Sequence, residues 1–327
     1  MSRFVAIDLA QLPPIDAVVP PDAELIVAQR KLTLLALIAD PALRAEVQAV
    51  LRLESEPLVK QNEVGAIREL IHFQRVNEAV RAEMLATTSG NNLDNMVARL
   101  NVQRMPGESD AELKYRYQLK PEAFSVAGPA GAYEFHARSA HPDVLDAACY
   151  GPESGLVTPG QTLTVILSRL GDGTPSREIT DAVYARLSHE DTVPDTDQVL
   201  VRGAVITPYA IRYRLQVRPG ADVSLIVKQA RARLTAYAAT DDAYVAAVDA
   251  GYVGTEAQFR NLPPEDGGIN PRRVGGIIAL SAIDGAAHQD RINVVRAPRI
   301  SPAAEVNPGL DGAVWCTSVA VEYEVVA

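Results

Sequence analysis

The chain has 327 residues, 47 % hydrophobic and 22 % charged, an ordinary globular composition with room for two or three domains at about 150 residues each. Its net charge is −10, from 31 basic and 41 acidic side chains with no basic block, which argues against a phosphate-neutralising nucleic-acid surface and against a polybasic membrane patch. Two distant cysteines, Cys149 and Cys316, are too few for a disulfide framework or a cysteine-rich zinc module, and fit a reducing compartment.

Residues 1–22 carry Pro13, Pro14, Pro20 and Pro21. Proline fixes φ and removes a backbone donor, so this stretch reads as an extended arm. It shows no basic segment followed by an apolar run, so no signal peptide is expected. Its apolar Phe4, Val5, Ile7, Leu9, Val18 and Val19 imply that it lies on a surface, either its own body or a neighbour. Helix signals then dominate to about residue 105. One helix covers roughly 23–39. Its run "LTLLALIA" (32–39) is the longest apolar stretch, far short of the ~20 residues that span a bilayer. Asp40 caps a second helix, with Pro41 at the first helical position. Ser55 or Glu56, followed by Pro57, opens a third. A short fourth helix follows Gly90, capped by Asn91 or Asn92.

"SDAE" (109–112) is a capping box for a helix ending near Pro121, and a further helix covers 129–140. From 142 the texture changes. "VLDAACYG" and "QTLTVILSRLG" are β-branched, apolar and closed by glycine, so they read as strands. "GTPSREITDAVYARLSHE" reads as a helix with Thr174 as cap and Pro175 first. "QVLVRGAVITPYAIRYRLQVRPG" holds two strands, with Ile211, Tyr213, Leu215 and Val217 on one buried face. "ADVSLIVKQARARLTAYA" is another helix. Residues 241–275 read as irregular, "VGGIIALSAIDG" as a short helix, "DRINVVRAP" as a strand and "AVWCTSVAVEYEVV" as a closing strand. Offset by 47 residues, Ile179, Ala185, Arg186 and Leu187 match Ile226, Ala232, Arg233 and Leu234. Two related strand–helix–strand modules explain this, and so does convergence of two amphipathic helices. The expected fold is α+β. It has an arm (1–22), a helical partner-bundle domain (23–106), a first α/β module (107–199), and a second with C-terminal strands (200–327).

Catalytic or metal chemistry finds little support. His72, His136, His141, His189 and His288 are scattered, and the closest pair, His136 and His141, is separated by "ARSA" without an acid or cysteine. A zinc enzyme needs three ligands and an open position. "HEDTVPDTD" (189–197) is acidic but lacks the alternating ligands and turn glycine of a calcium loop. "GDGTPS" (171–176) has no following lysine, and its proline removes one N–H that a phosphate cradle would use. The expectation is no enzyme, no cofactor and no metal.

The third helix poses the sharper question. At 100° per residue, Val64, Ile67 and Ile71 cluster within about 60°, while Phe73, Val76, Val80 and Met84 cover about 80° nearly opposite, with Leu70 between. A buried central helix would explain this. So would a helix whose first half packs on its own domain and whose second half meets another chain. On that reading the partner-binding residues are Leu70, Phe73, Val76, Val80 and Met84.

Several segments decide between these by resemblance. They are "FVAIDLAQLPPIDAVVPPDAE", "LESEPLVKQNEVGAIRELIHFQRVNEAVRAEMLATTSGNNLDNMVARLNVQR" (53–104), "FSVAGPAGAYEFHARSAHPDVLDA" (124–147) and "LTVILSRLGDGTPSREITDAV", with "ITPYAIRYRLQVRPG" beyond. Together they resemble the baseplate assembly protein J family of contractile-tailed bacteriophages, which has relatives in contractile bacteriocins and injection systems. The similarity covers about residues 3–240. Residues 251–327 depart from the usual pattern, and "TEAQFRNLPPEDGGINPRR" looks like an insertion. The resemblance implies a structural part of the baseplate wedge in the virion tail, assembled in the host cytoplasm. Its partners would be further copies of itself, a smaller baseplate protein of the protein I type, and hub, spike and sheath-initiator proteins, with no nucleic acid and no membrane insertion. Wedges would close a ring around the hub, through helices bundled between chains and ring contacts between α/β modules, and the ring would release sheath contraction. A tail-tip hydrolase, the reading from another class, needs a cleft with paired carboxylates.

Overall fold

The computed structural model describes residues 4, 6–13, 15–125, 127–194, 196–238, 272–287 and 294–326. His288 and most of the stretch read as irregular or inserted lie outside these. The fold is α+β, and the chain divides into two compact units, Asp8–Arg99 and Met1–Ile7 with Leu100–Ala327.

The first unit is helical. It holds α1 (Ala23–Ala36), α2 (Pro41–Val50), α3 (Pro57–Ala82) and α4 (Gly90–Val97). Local chemistry sets the boundaries. Asp22 and Asp40 accept from Glu24 N and Ala42 N, and Pro41 and Pro57 occupy first-turn positions where a missing N–H costs nothing. The α4 cap is Ser89 rather than Asn91 or Asn92. Gly90, at φ +54°, is already the first residue of the helix, two or three residues earlier than a cap at Asn91 or Asn92 would give.

The second unit builds two sheets from tandem crossovers. α5 (Asp110–Leu119) begins with the expected capping box, in which Ser109 Oγ accepts from Glu112 N and Glu112 Oε2 accepts from Ser109 N. α6 (Ala130–Arg138) is buried from Gly131 through Ala137. β1 (Val144–Tyr150) pairs antiparallel with β2 (Gln161–Ser168). α7 (Arg177–Leu187) then returns the chain to β3 (Gln198–Gly203), parallel to β2. Its cap is Ser176, not Thr174. Pro175 stands before the helix, against Gly203, where a Cβ would lie 2.7 Å from Pro175 Cδ.

Only Ala204 separates β3 from β4 (Val205–Val217), so a module division between 199 and 200 would cut β3; Ala204 is the natural joint. α8 (Val223–Ala238) follows, and β7 (Gly312–Val325) pairs parallel with β4 along its whole length. α9 (Leu280–Ala287), β5 (Val294–Arg296) and β6 (Arg299–Ser301) lie between them in sequence, and β5 and β6 pair antiparallel with β4. The short helix expected across 274–285 therefore begins only at Leu280.

The internal repeat has a structural counterpart. β2–α7–β3 and β4–α8–β7 are both parallel strand–helix–strand crossovers, the second carrying α9, β5 and β6 before its return strand. Ile179, Val183 and Leu187 on α7 and Ile226, Ala230 and Leu234 on α8 are buried at equivalent places, four residues apart. That spacing keeps one helix face on a sheet. A shared cluster of Ala148, Leu163, Val165, Leu167, Ala204, Val274 and Ala313 draws side chains from both crossovers. Asp146 reinforces it by pairing with Arg138 and accepting from Val274 N at 2.8 Å.

Candidate partner interface

The helical unit buries little of its own apolar surface. Among its described residues seven hydrophobic ones are buried: Ile26, Leu51, Val59, Ala66, Leu93, Met96 and Val97. Thirteen large ones are exposed there, including Leu25, Leu32, Leu37, Leu43 and Leu53. α2 has no buried residue at all. Fully covering a Val, Leu or Ile side chain is worth roughly 1.5–3 kcal/mol; these thirteen are already partly covered, so completing their burial is worth a sum comparable with a domain's net stability.

α3 resolves this into faces. Its buried residues are Val59, Asn62, Ala66 and Asn77, which share an arc of about 60° at 100° per residue. Phe73 and Val80 fall on the same arc and are half-buried, as is neighbouring Leu70. The side that meets the chain's own unit is therefore the one assigned above to partners. Val64 (53 % exposed), Ile67 (55 %) and Ile71 (40 %), expected to hold the helix to its own domain, lie open on the opposite side. Of the five residues first assigned to partners, Val76 and Met84 remain exposed.

The reason lies in what makes the covered face. α1 crosses α3 where Gly65 leaves room for the Arg30 guanidinium, which pairs with Glu69. Asn77 clamps the arm: its Oδ1 accepts from Val18 N at 3.0 Å and its Nδ2 donates to Val18 O at 2.8 Å. Asp16 pairs with Arg81, and Asn62 Nδ2 donates back to Leu58 O. Glycine and asparagine do not read as part of an apolar stripe, and alanine adds little to one. What could have flagged this face is the spacing 59–62–66–73–77, which keeps one side of the helix whatever its polarity. The arm also meets its own chain in the α/β unit, where Phe4 sits edge-on to Tyr115 with centroids 6.0 Å apart and Gln118 Oε1 accepts from Ile7 N at 2.9 Å.

The groups weighed as chemistry are occupied structurally. His136 is buried on α6, its Nδ1 3.3 Å from Arg186 Nη2. Burial, with the positive charges of Arg186 and Lys120, pushes its pKa down to about 4. His72 and His189 are exposed. In the acidic loop, Asp197 Oδ2 accepts from Tyr133 Oη at 3.0 Å, and burial followed by this bond raises the Tyr133 phenol. In "GDGTPS", Gly173 O accepts from Ser168 N, Asp172 Oδ1 from Thr174 N, and Gly171 O from Arg272. These bonds make it a closed turn. A small crevice between α5, α6 and β1 is lined by neutralised pairs, Arg116 with Glu108 at 2.7 Å and Arg169 with Glu112 at 2.6 Å. Burial pushes the Cys149 thiol up to about 12, the opposite of an activated nucleophile. Among the described residues no group of three His, Cys, Asp or Glu is placed to hold a metal ion, and no helix is long and apolar enough to cross a membrane.

An acidic chain whose helical unit exposes more large hydrophobic residues than it buries, among the described residues, has the makeup of a subunit in a larger assembly. Comparison with known proteins gives that class a family. Residues 54–106 match the Baseplate J-like N-terminal domain, and residues 125–203 match the Baseplate J-like central domain. The chain is 36 % identical over 335 residues to Baseplate protein J of Escherichia phage P2, an alignment covering 98 % of this chain and 97 % of that protein. The chain belongs to the baseplate protein J family. The similarity does not stop near residue 240, as the sequence reading had it, but extends through the C-terminal strands.

Proposed function

We propose that this protein is a structural, non-catalytic component of a phage tail baseplate, and that it builds the baseplate wedge. Membership in the baseplate protein J family supports the baseplate role. The observation that carries the wedge reading is the uncovered apolar surface of the helical unit. Helices from further copies of the chain and from a smaller baseplate protein of the protein I type complete the bundle. The α/β unit makes ring contacts around the hub and spike, next to the sheath-initiator proteins. Opening of that ring releases sheath contraction, a transition between two packed arrangements that needs no catalytic centre. The particle is assembled in the host cytoplasm. The same architecture serves a contractile bacteriocin or injection system, and capsid genes beside the coding sequence distinguish the phage. The test is co-expression with the neighbouring tail genes and the mass of whatever co-purifies. A stable complex containing this chain and a smaller helical protein is expected; a chain that remains monomeric beside all of them would overturn the reading.

A further inference from the structure

β7 ends the second sheet, and its far half is uncovered. Among the described residues it pairs with β4 alone. Val326 N donates to Val217 O. By the two-residue alternation of a strand, Val319, Val321, Tyr323 and Val325 then turn their own N–H and C=O groups to the free edge. The same four side chains lie in register with Ile211, Tyr213, Leu215 and Val217 of β4, on the core face. Those β4 residues are fully buried, yet Tyr323 is 58 % and Val325 53 % exposed. The layer that covers β4 stops short of the end of β7.

Open edges are normally blunted by proline, charged side chains (lysine above all), a bulge or a covering element; here the charges are Glu322 and Glu324, both of one sign. "SVAVEYEV" (318–325) has no proline and no lysine, its register to β4 is regular from Ser318 onward, and its residues favour strands. The outer face of the sheet adds a charge pattern. Arg212 and Arg214 of β4 lie beside Ala320 and Glu322 of β7, and Gln216 lies beside Glu324. Arg214 pairs with Glu322 at 3.2 Å, and Glu324 has only Gln216 across from it. A strand joining this edge continues the row with cations.

We propose that the free edge of β7 docks an extended, basic segment of another protein, which joins the sheet as a further strand. Its alternate apolar side chains extend the Val321, Tyr323 and Val325 face, and its Lys or Arg residues meet Glu322 and Glu324. Strand addition supplies affinity through main-chain hydrogen bonds and selects by alternate side chains. A second copy of β7 is a poor occupant. Antiparallel pairing centred on Glu322, Tyr323 or Glu324 sets carboxylate against carboxylate, and like charges directly opposite destabilise a sheet.

The experiment titrates the full-length protein with two synthetic octapeptides, one alternating Val and Lys, the other Val and Glu, at low salt. The Val–Lys peptide is expected to bind about tenfold more tightly, because two cross-strand charge pairs change from repulsion to attraction, and added salt should erode the difference. Tyr323→Pro removes an N–H that faces the free edge and spares the ladder to β4, so the variant should melt like the parent and lose peptide binding. Should it fold poorly, the double variant Glu322→Lys/Glu324→Lys keeps the backbone and should prefer the Val–Glu peptide. Equal binding of both peptides, or binding indifferent to these variants, overturns the proposal. So does self-association of the full-length protein that Tyr323→Pro abolishes, which would make a second copy the occupant.

Discussion

At the scale of single residues, the stability of the α/β unit rests on groups whose surroundings leave no room for change. Gly312 opens the pairing of β7 with β4 opposite Val205, and its carbonyl accepts from Gly275 N at 2.7 Å. A Cβ there would stand 2.1 Å from Pro308 O, a backbone atom that cannot swing aside as a side chain can. Gly312→Ala should lower stability by roughly 2–3 kcal/mol, measured by urea denaturation. His136 behaves differently, because its cost depends on pH. Its folded pKa is held near 4, below the ordinary value of about 6.5, so between these values the unfolded chain takes up the proton and the folded chain does not. The histidine's contribution is whole above about pH 6.5 and is lost as pH falls toward 4, by an upper bound of about 3 kcal/mol. Denaturant midpoints at pH 7, 5.5 and 4.5 should fall for the parent and fall less steeply for His136→Gln; parallel slopes would show that His136 is not the titrating group.

At the scale of elements, α3 makes the sharpest forecast. Ile67→Asp and Ile71→Asp add a charge to a face that is already solvated in the isolated chain, so circular dichroism and melting should stay near the parent. The same charge meets partner helices in an assembly, where an unpaired buried carboxylate is expensive, so yield of the co-expressed complex should collapse. Val80→Asp lies on the other side, with Asn77 and Phe73 against the chain's own unit, and should instead lower the melting temperature of the protein alone. Normal complex yield for Ile67→Asp would remove α3 from the interface. The element boundaries were legible in the sequence where a side chain closes a hydrogen bond locally, as at Asp40–Pro41 and the Ser109/Glu112 box. The strand face of Ile211, Tyr213, Leu215 and Val217 was legible because its alternation is strict, and all four are fully buried. The faces of α3 were not. Periodicity shows that a helix has two apolar sides but not which one its own chain covers, and that choice is made by Ala66, Asn62, Asn77 and the room at Gly65. The cap at Ser176 was missed for a related reason: Pro175 looks like a first helical residue until Gly203 is known to lie against it.

At the scale of the whole molecule, the two units differ in what holds them. The α/β unit closes on itself. Its two crossovers share the cluster around Val165, Leu167 and Ala313, and Asp146 ties β1 to Val274. Tyr213 Oη donates to Asp284, whose carboxylate also takes Arg299 at 2.7 Å. The helical unit is tied by the Asn77 clamp on Val18 and the Arg30–Glu69 pair, but among its described residues seven hydrophobic ones are buried against thirteen large exposed ones. A fragment beginning at Leu100 gives up the contacts of Phe4 on Tyr115 and Ile7 on Gln118 but keeps both sheets and their crossovers, so it should be soluble, monomeric and melt in one cooperative step. The fragment 8–99 retains its capped helices, because those bonds are local. Its exposed Val64, Ile67 and Ile71 on α3 and the leucines of α1 and α2 remain in water, however, and on the wedge reading other chains cover them. It should show helical circular dichroism yet form concentration-dependent oligomers by sedimentation velocity, and co-expression with the smaller baseplate protein should replace these with one species of defined mass. If instead 8–99 is a well-behaved monomer with a sharp melt, its apolar faces need no partner and the wedge reading loses its physical basis. If the fragment from Leu100 is unfolded, the α/β unit depends on the helices, and the division near residue 100 is wrong.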